Sequence, residues 1–273
     1  MTLSITDAIR DGLEDFTRPA VPIAVVAFAV FNVLSSITVQ TTLQGIFQTI
    51  LGIVGVSLDR IYEEAASSGE VPESMGPADI SILQEGLDGI FPLGIGALPG
   101  PVAVLAGIVG FLVIALLAEL VYLVVVRRVA GDRFGKSTVS RLHFVLFHGV
   151  LAGLITMVLV FGAIPFAIVP AVIFAVLFSF VPQIVALEEV NAFRAIADSV
   201  GVVWENALRV FALAVIVFVV TRIAYFVVGV VPLGAWLSQI VYGLLAAVFS
   251  VLWLTIATEA YLQIRSAEHT SGA

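Results

Sequence analysis

Four polar side chains stand inside apolar runs at comparable depth: Glu119, His148, Gln183 and Glu259. Counted from the basic residue that ends each run, Glu119 lies about 12 Å and Glu259 about 9 Å inside, at the α-helical rise. Carboxylates, an imidazole and an amide at one level could share a proton or hold an ion, because ionisable groups in a membrane are costly and face a cavity or each other. The competing account is structural, with Glu259 snorkelling to the interface and His148 hydrogen-bonded to a helix. Arg222 is the fifth candidate. It stands thirteen residues beyond Arg209 in VVTRIAYFVV, about 20 Å into a hydrocarbon layer of about 30 Å. That depth points first to a structural clamp, with Glu119 or backbone carbonyls as the partner, and second to binding of an anion.

Other chemistry is missing from the sequence. There is no HExxH, no Gly-x-Ser-x-Gly and no Walker A pattern,. His143, His148 and His269 are too scattered to ligate one metal,. The chain has no cysteine, which excludes disulfides, Cys-ligated zinc and iron–sulfur clusters,. The acidic stretch 59–100 lacks the alternation of a calcium loop,. No catalytic residue, cofactor site or metal site is expected, and the chain is not expected to be an enzyme.

The elements that would carry these residues are read from hydropathy. Hydrophobic residues make up 60% of the 273, the mean hydropathy is +1.15, and apolar runs of span length recur. These predict an all-α polytopic integral membrane protein. Six transmembrane helices are expected in a single membrane domain, at about 20–39, 102–126, 142–161, 166–187, 208–231 and 237–262. Residues 43–58 are apolar but short and carry Gln44 and Gln48, so they are expected to form an outer-surface or partly buried helix ahead of the acidic outer loop 59–100. Pro170 and Pro182 are expected to kink the fourth span. Gly149 and Gly153 would let the third span approach a neighbour closely.

Charge sets the orientation. Ten of the twelve Lys and Arg residues fall in segments that this threading places on one side, with Arg60 opposite and Arg222 inside a span. The cationic side is the cytoplasmic one, so both termini are expected inside a multi-pass protein of the cell membrane. A net charge of -8 argues against nucleic acid,, leaving membrane lipids as the implied partners. The acidic, cysteine-free, Val/Ala-rich composition with a single lysine is that expected of a halophilic archaeon,.

Residues 2–17 carry acids where a signal peptide would be basic, and read as an amphipathic cytoplasmic helix,. Ser4 to Asp7 resembles a capping box, with Ile5, Ile9, Leu13 and Phe16 as the apolar stripe,. A second such helix carries Phe193, Ile196, Val200 and Val203. The first echoes the second, AIRDGL at 8–13 against AIADSV at 195–200. With 134–141 between them, three units of interfacial helix, span and returning span would account for the layout.

From Val181 the chain reads VPQIVALEEVNAFRAIADSVGVVWENALRVF, and near its start DAIRDGLEDFTRP precedes an apolar run. An acidic pair closing a span, an Ala-x-x-x-Ser helix and an Asn before the next span resemble a known family. It is the six-helix membrane domain attached to some glycerophosphodiester phosphodiesterases, together with its stand-alone relatives of uncharacterised function. In the enzymes the resemblance implies a separate metal-dependent barrel, which these 273 residues do not contain, so no activity is carried over. The expected function is that of a non-enzymatic membrane component, a scaffold or accessory of a lipid-handling or export system. The alternative is a small transporter for a solute or lipid.

Overall fold

A computed structural model describes residues 3–18, 20–54, 98–131, 141–163, 168–231 and 235–271. They form α1 (Ile5–Phe16), α2 (Ala20–Val54), α3 (Gly100–Ala130), α4 (Leu142–Ala163), α5 (Ile168–Leu177), α6 (Val181–Glu188), α7 (Ala192–Glu205), α8 (Ala207–Gly229) and α9 (Ala235–Ser271). Six helical stretches are long and apolar enough to cross a membrane, the fourth comprising α5 and α6 together. The chain is an all-helical polytopic membrane protein by that architecture. Its spans expose Val26, Leu105, Val109, Phe147, Phe218 and Phe226, an outer surface as apolar as the interior, which water would not tolerate over such an area. Residues 59–97 of the expected acidic loop and 134–140 of the segment before the third span lie outside the described residues.

The chain divides into two compact units: Met1–Val30, Ala115–Val231 and Tyr242–Ala273 make the first, Phe31–Ile114 and Pro232–Val241 the second. In the second unit the expectation of a separate helix at 43–58 is corrected. Residues up to Val54 continue α2 without interruption, making it 35 residues long. The reason is a seam of small residues. A Cβ on Gly45 would lie 2.7 Å from the Gly100 carbonyl oxygen, one on Gly100 would meet Thr49, and those on Gly107 and Gly110 would strike Thr42 and Thr38. The threonine hydroxyls that face the seam are satisfied on their own helix, Thr42 and Thr49 donating to the carbonyls of Thr38 and Gly45, both at 2.7 Å. Gly100, Ala103, Gly107 and Gly110 recur at helical spacing, and the close approach they permit holds residues 38–49 against α3. At about 1.5 Å per residue α2 is about 52 Å long, beyond the thickness of the hydrocarbon layer, so it tilts or projects at its glutamine-bearing end.

The first unit is packed most densely at one end. Leu123, Val125 and Val126 of α3, nearly all of α6, and Leu254 to Tyr261 of α9 are buried there. Both amphipathic helices dock on this hub by a face of small residues flanked by much of the expected stripes, since Ile5, Ile9, Phe16 and Ile196 pack against the core and Val203 is buried. α1 buries Ala8 and Gly12, and α7 buries Ala192, Ala195, Ser199, Val202 and Val203, while Leu13 and Phe193 remain 47% and 70% exposed. Close helix contact puts the small residues at the centre of each docked face and leaves Leu13 and Phe193 at its margin. Gly12 shows the constraint: a Cβ there would sit 2.7 Å from the Ile256 Cα. Ser4 caps α1 by accepting from the Asp7 amide, as expected. The return arm of the capping box is replaced by a tertiary bond, the Ser4 amide donating to Gln263 Oε1 at 3.3 Å. The two echoed segments match in burial as well as sequence, Ala8 with Ala195 and Gly12 with Ser199.

The fourth span breaks at one of the two expected prolines. Pro170 falls in the first turn of α5 and Pro182 in the first turn of α6. Proline at 182 has no N–H for the Phe178 carbonyl. That carbonyl instead accepts from the Val181 amide at 3.2 Å, which leaves the Leu177 carbonyl without its helical donor. The Ser199 hydroxyl of α7 donates to Leu177 at 2.8 Å. The break and the docking of α7 are thus one device.

Candidate functional site

The hub encloses several polar residues at membrane depth, with Gln183, Ser199, Thr255, Thr258 and Glu259 all buried. At its centre are two consecutive glutamates. α6 ends with Glu189 in the left-handed region, φ 56°, a conformation unfavourable for a residue with a Cβ. Arg127, from the end of α3, offsets that cost. Its Nε donates to the Ala186 carbonyl at 2.9 Å and its Nη2 to Glu189 Oε1 at 3.0 Å. One guanidinium therefore caps the orphan carbonyl of a helix end and neutralises the acid beside it. Both side chains are nearly inaccessible, 4% and 7% exposed. Glu188 turns the other way, to Arg265 and Tyr261 of α9; Arg265 Nε donates to it at 2.9 Å and to the Tyr261 hydroxyl at 3.0 Å. Spans two and six are each tied to the end of span four by a charge pair.

Of the residues singled out by depth, Glu119 and Gln183 both lie close to Tyr122, while His148 serves a different helix. The Glu119 side chain fills the space left by the missing side chain of Gly149, while Gly153 has nothing within 4 Å of its Cβ direction. The expected close approach of span three is therefore made at Gly149 alone, and to a carboxylate. Tyr122, one turn from Glu119, lies close to that carboxylate and to the Gln183 amide and packs edge-on to Phe28. Gln183 is wholly buried, and neither of its amide atoms makes a hydrogen bond of ordinary geometry. His148 accepts from the Ala192 amide at 3.5 Å and lies against Phe144, with ring centroids 4.2 Å apart. It serves the first turn of α7, as the structural account of it required. Glu259 is 2% exposed within the hub and engaged there, not snorkelling.

Arg222 corrects the expectation of an interior clamp. It is exposed, its guanidinium lies 4.7 Å from the Phe218 ring centroid, and no described carboxylate forms an ion pair with it. It borders an outward-opening cleft of about 410 Å³ between α8 and α9, with Phe218, Tyr225, Phe249, Ser250 and Trp253. The side chain points toward the start of its own helix, as helical side chains do. It therefore runs deeper into the span and away from the nearer end.

Sequence reasoning missed Arg127, Glu188, Glu189, Tyr261 and Arg265 as a site, because the arginines served as orientation markers and the glutamates only as a motif. The available signal was an acidic pair closing a span on an otherwise basic side, with an arginine at the same level on two other spans. Among the described residues no group of His, Asp and Glu could hold a metal ion. Comparison with protein-family models, with curated proteins and with solved structures finds no match to this chain.

Proposed function

We propose that this is a non-enzymatic membrane component of a lipid-handling or export system, which holds and presents a membrane surface and converts no substrate. One observation carries the proposal. The charges at the hub serve to bind helices together, Arg127 to Glu189 and Arg265 to Glu188, whereas Arg18, Arg128 and Arg222 border clefts at the surface. A nucleophile with a base, which acyl or phosphoryl transfer would need, is not assembled among these residues. The layout's resemblance to the membrane domain of glycerophosphodiester phosphodiesterases supports the lipid-handling part. The cationic end of the spans supports a cell-membrane protein with both termini cytoplasmic.

The second reading, a transporter, is favoured by the broken fourth span beside Gln183, Tyr122 and Glu119, since discontinuous helices line transport sites. Sealed proteoliposomes separate the two. The expected result is no proton flux above protein-free vesicles, read by an internal pH dye, and no hydrolysis of added glycerophosphodiesters. A flux that Glu119→Gln abolishes would replace the first reading with the second.

A further inference from the structure

We propose that the cleft between the start of α2 and the end of α3 is a binding site for one anionic phospholipid. The cleft holds about 600 Å³ and combines Arg18 and Arg128 with apolar walls that include Ile23, Val124 and Val125. Arg18 is fixed by Asp15, whose carboxylate lies 2.6 Å from it and is itself 4% exposed. Arg128 is exposed, and no described carboxylate pairs with it. The neighbouring Arg127 turns inward to Glu189, and the helical turn of about 100° per residue sends Arg128 the other way. Among the described residues, one positive charge at the rim is thus unmatched.

Position decides what would match it. Arg18 immediately precedes the first span and Arg128 lies in the last turn of the second, so both stand at headgroup height and not in hydrocarbon. Ile23, 72% exposed, and Val124 continue the cleft along the spans, toward the acyl layer. A phosphodiester at the rim would accept from both guanidiniums while an acyl chain follows the apolar wall. A soluble anion would use the charge and leave that wall uncovered. A zwitterionic lipid would bring its own cation against the arginines. Basic pockets between spans on the cytoplasmic side recognise anionic headgroups in this way.

The proposal deepens the lipid-handling reading by naming the lipid. Because the chain has no cysteine, Ile23→Cys provides a single attachment point for a bimane fluorophore in the full-length protein. In nanodiscs, dibrominated phosphatidylglycerol should quench it at about fivefold lower mole fraction than dibrominated phosphatidylcholine, the preference expected per surface arginine. Arg128→Gln should reduce the two lipids to equal quenching, Arg128→Lys should retain the preference, and inorganic phosphate should not compete. Equal quenching in the unaltered background would overturn the site, as would a preference that survives Arg18→Gln with Arg128→Gln. Competition by inorganic phosphate would reassign it to a soluble anion. The unaltered background alone decides the first outcome even if the glutamine variants fold poorly. Failure here leaves the flux result untouched, so the two proposals fall separately.

Discussion

Glu188 and Glu189 adjoin in the chain yet answer to different spans, and this makes the arginines of the hub unlike Arg222. Arg127 and Glu189 are both withdrawn from solvent, so removing either leaves the other's charge buried. Arg127→Leu is expected to cost about 3–5 kcal/mol, and Arg127→Met with Glu189→Met to regain most of it. Arg222 has no described acid partner, and its contact is with a ring on its own helix. Arg222→Leu is therefore expected to melt in detergent at or above the temperature of the unaltered protein. Melting curves of the three variants check this, and equal losses at 127 and 222 would refute the distinction. Depth counted along a helix placed Glu119 and Gln183 at one level, and Tyr122 lies close to both. It could not tell which arginine faces inward, because one residue of rotation separates Arg127 from Arg128.

At the scale of the element, Pro182, Leu177 and Ser199 form one argument. Proline removes a donor, the preceding turn tightens, and the carbonyl set free takes the α7 hydroxyl at 2.8 Å. Ser199→Ala is expected to cost about 1 kcal/mol, or more if the carbonyl is left dry. Pro182→Ala restores an N–H, so Ser199→Ala should cost less in that background, and a double-mutant cycle measures the difference. The glycines divide likewise. Gly12→Ala drives a methyl onto the Ile256 backbone and should destabilise. Gly153→Ala meets open space and should be neutral or gain up to about 1 kcal/mol from helix propensity. The spacing of Gly149 and Gly153 was visible in the sequence, but so was that of Gly100, Ala103, Gly107 and Gly110. Only the partner helix distinguishes a seam from a coincidence. The break at Pro182 was readable because proline chemistry is local, whereas the burial of Ala8 and Ala195 in place of Leu13 and Phe193 was not, since it depends on how closely another helix comes.

For the whole molecule, six apolar helices were readable because the bilayer imposes its thickness on every span. The continuity of α2 was not, since the rule that a span has about twenty residues says nothing about a helix longer than the membrane. What remains to be fixed is which way the bundle faces. The hub, with Arg127 and Arg265 neutralised by Glu189 and Glu188, occupies the end where the exposed Arg18 and Arg128 also lie. Cancelling two cations there leaves Arg10, Arg18, Arg128, Arg194, Arg209 and the cations of 133–141 to set orientation, still an excess over the single Arg60 opposite,. The expected outcome is a cytoplasmic hub. In intact cells, cysteines introduced at Ser68 and Ser74 should react with an impermeant maleimide, and those at Ser137 and at Ser266, exposed on α9, only after permeabilisation. Reaction at Ser266 from outside would invert the bundle and place the Arg18–Arg128 cleft in the outer leaflet.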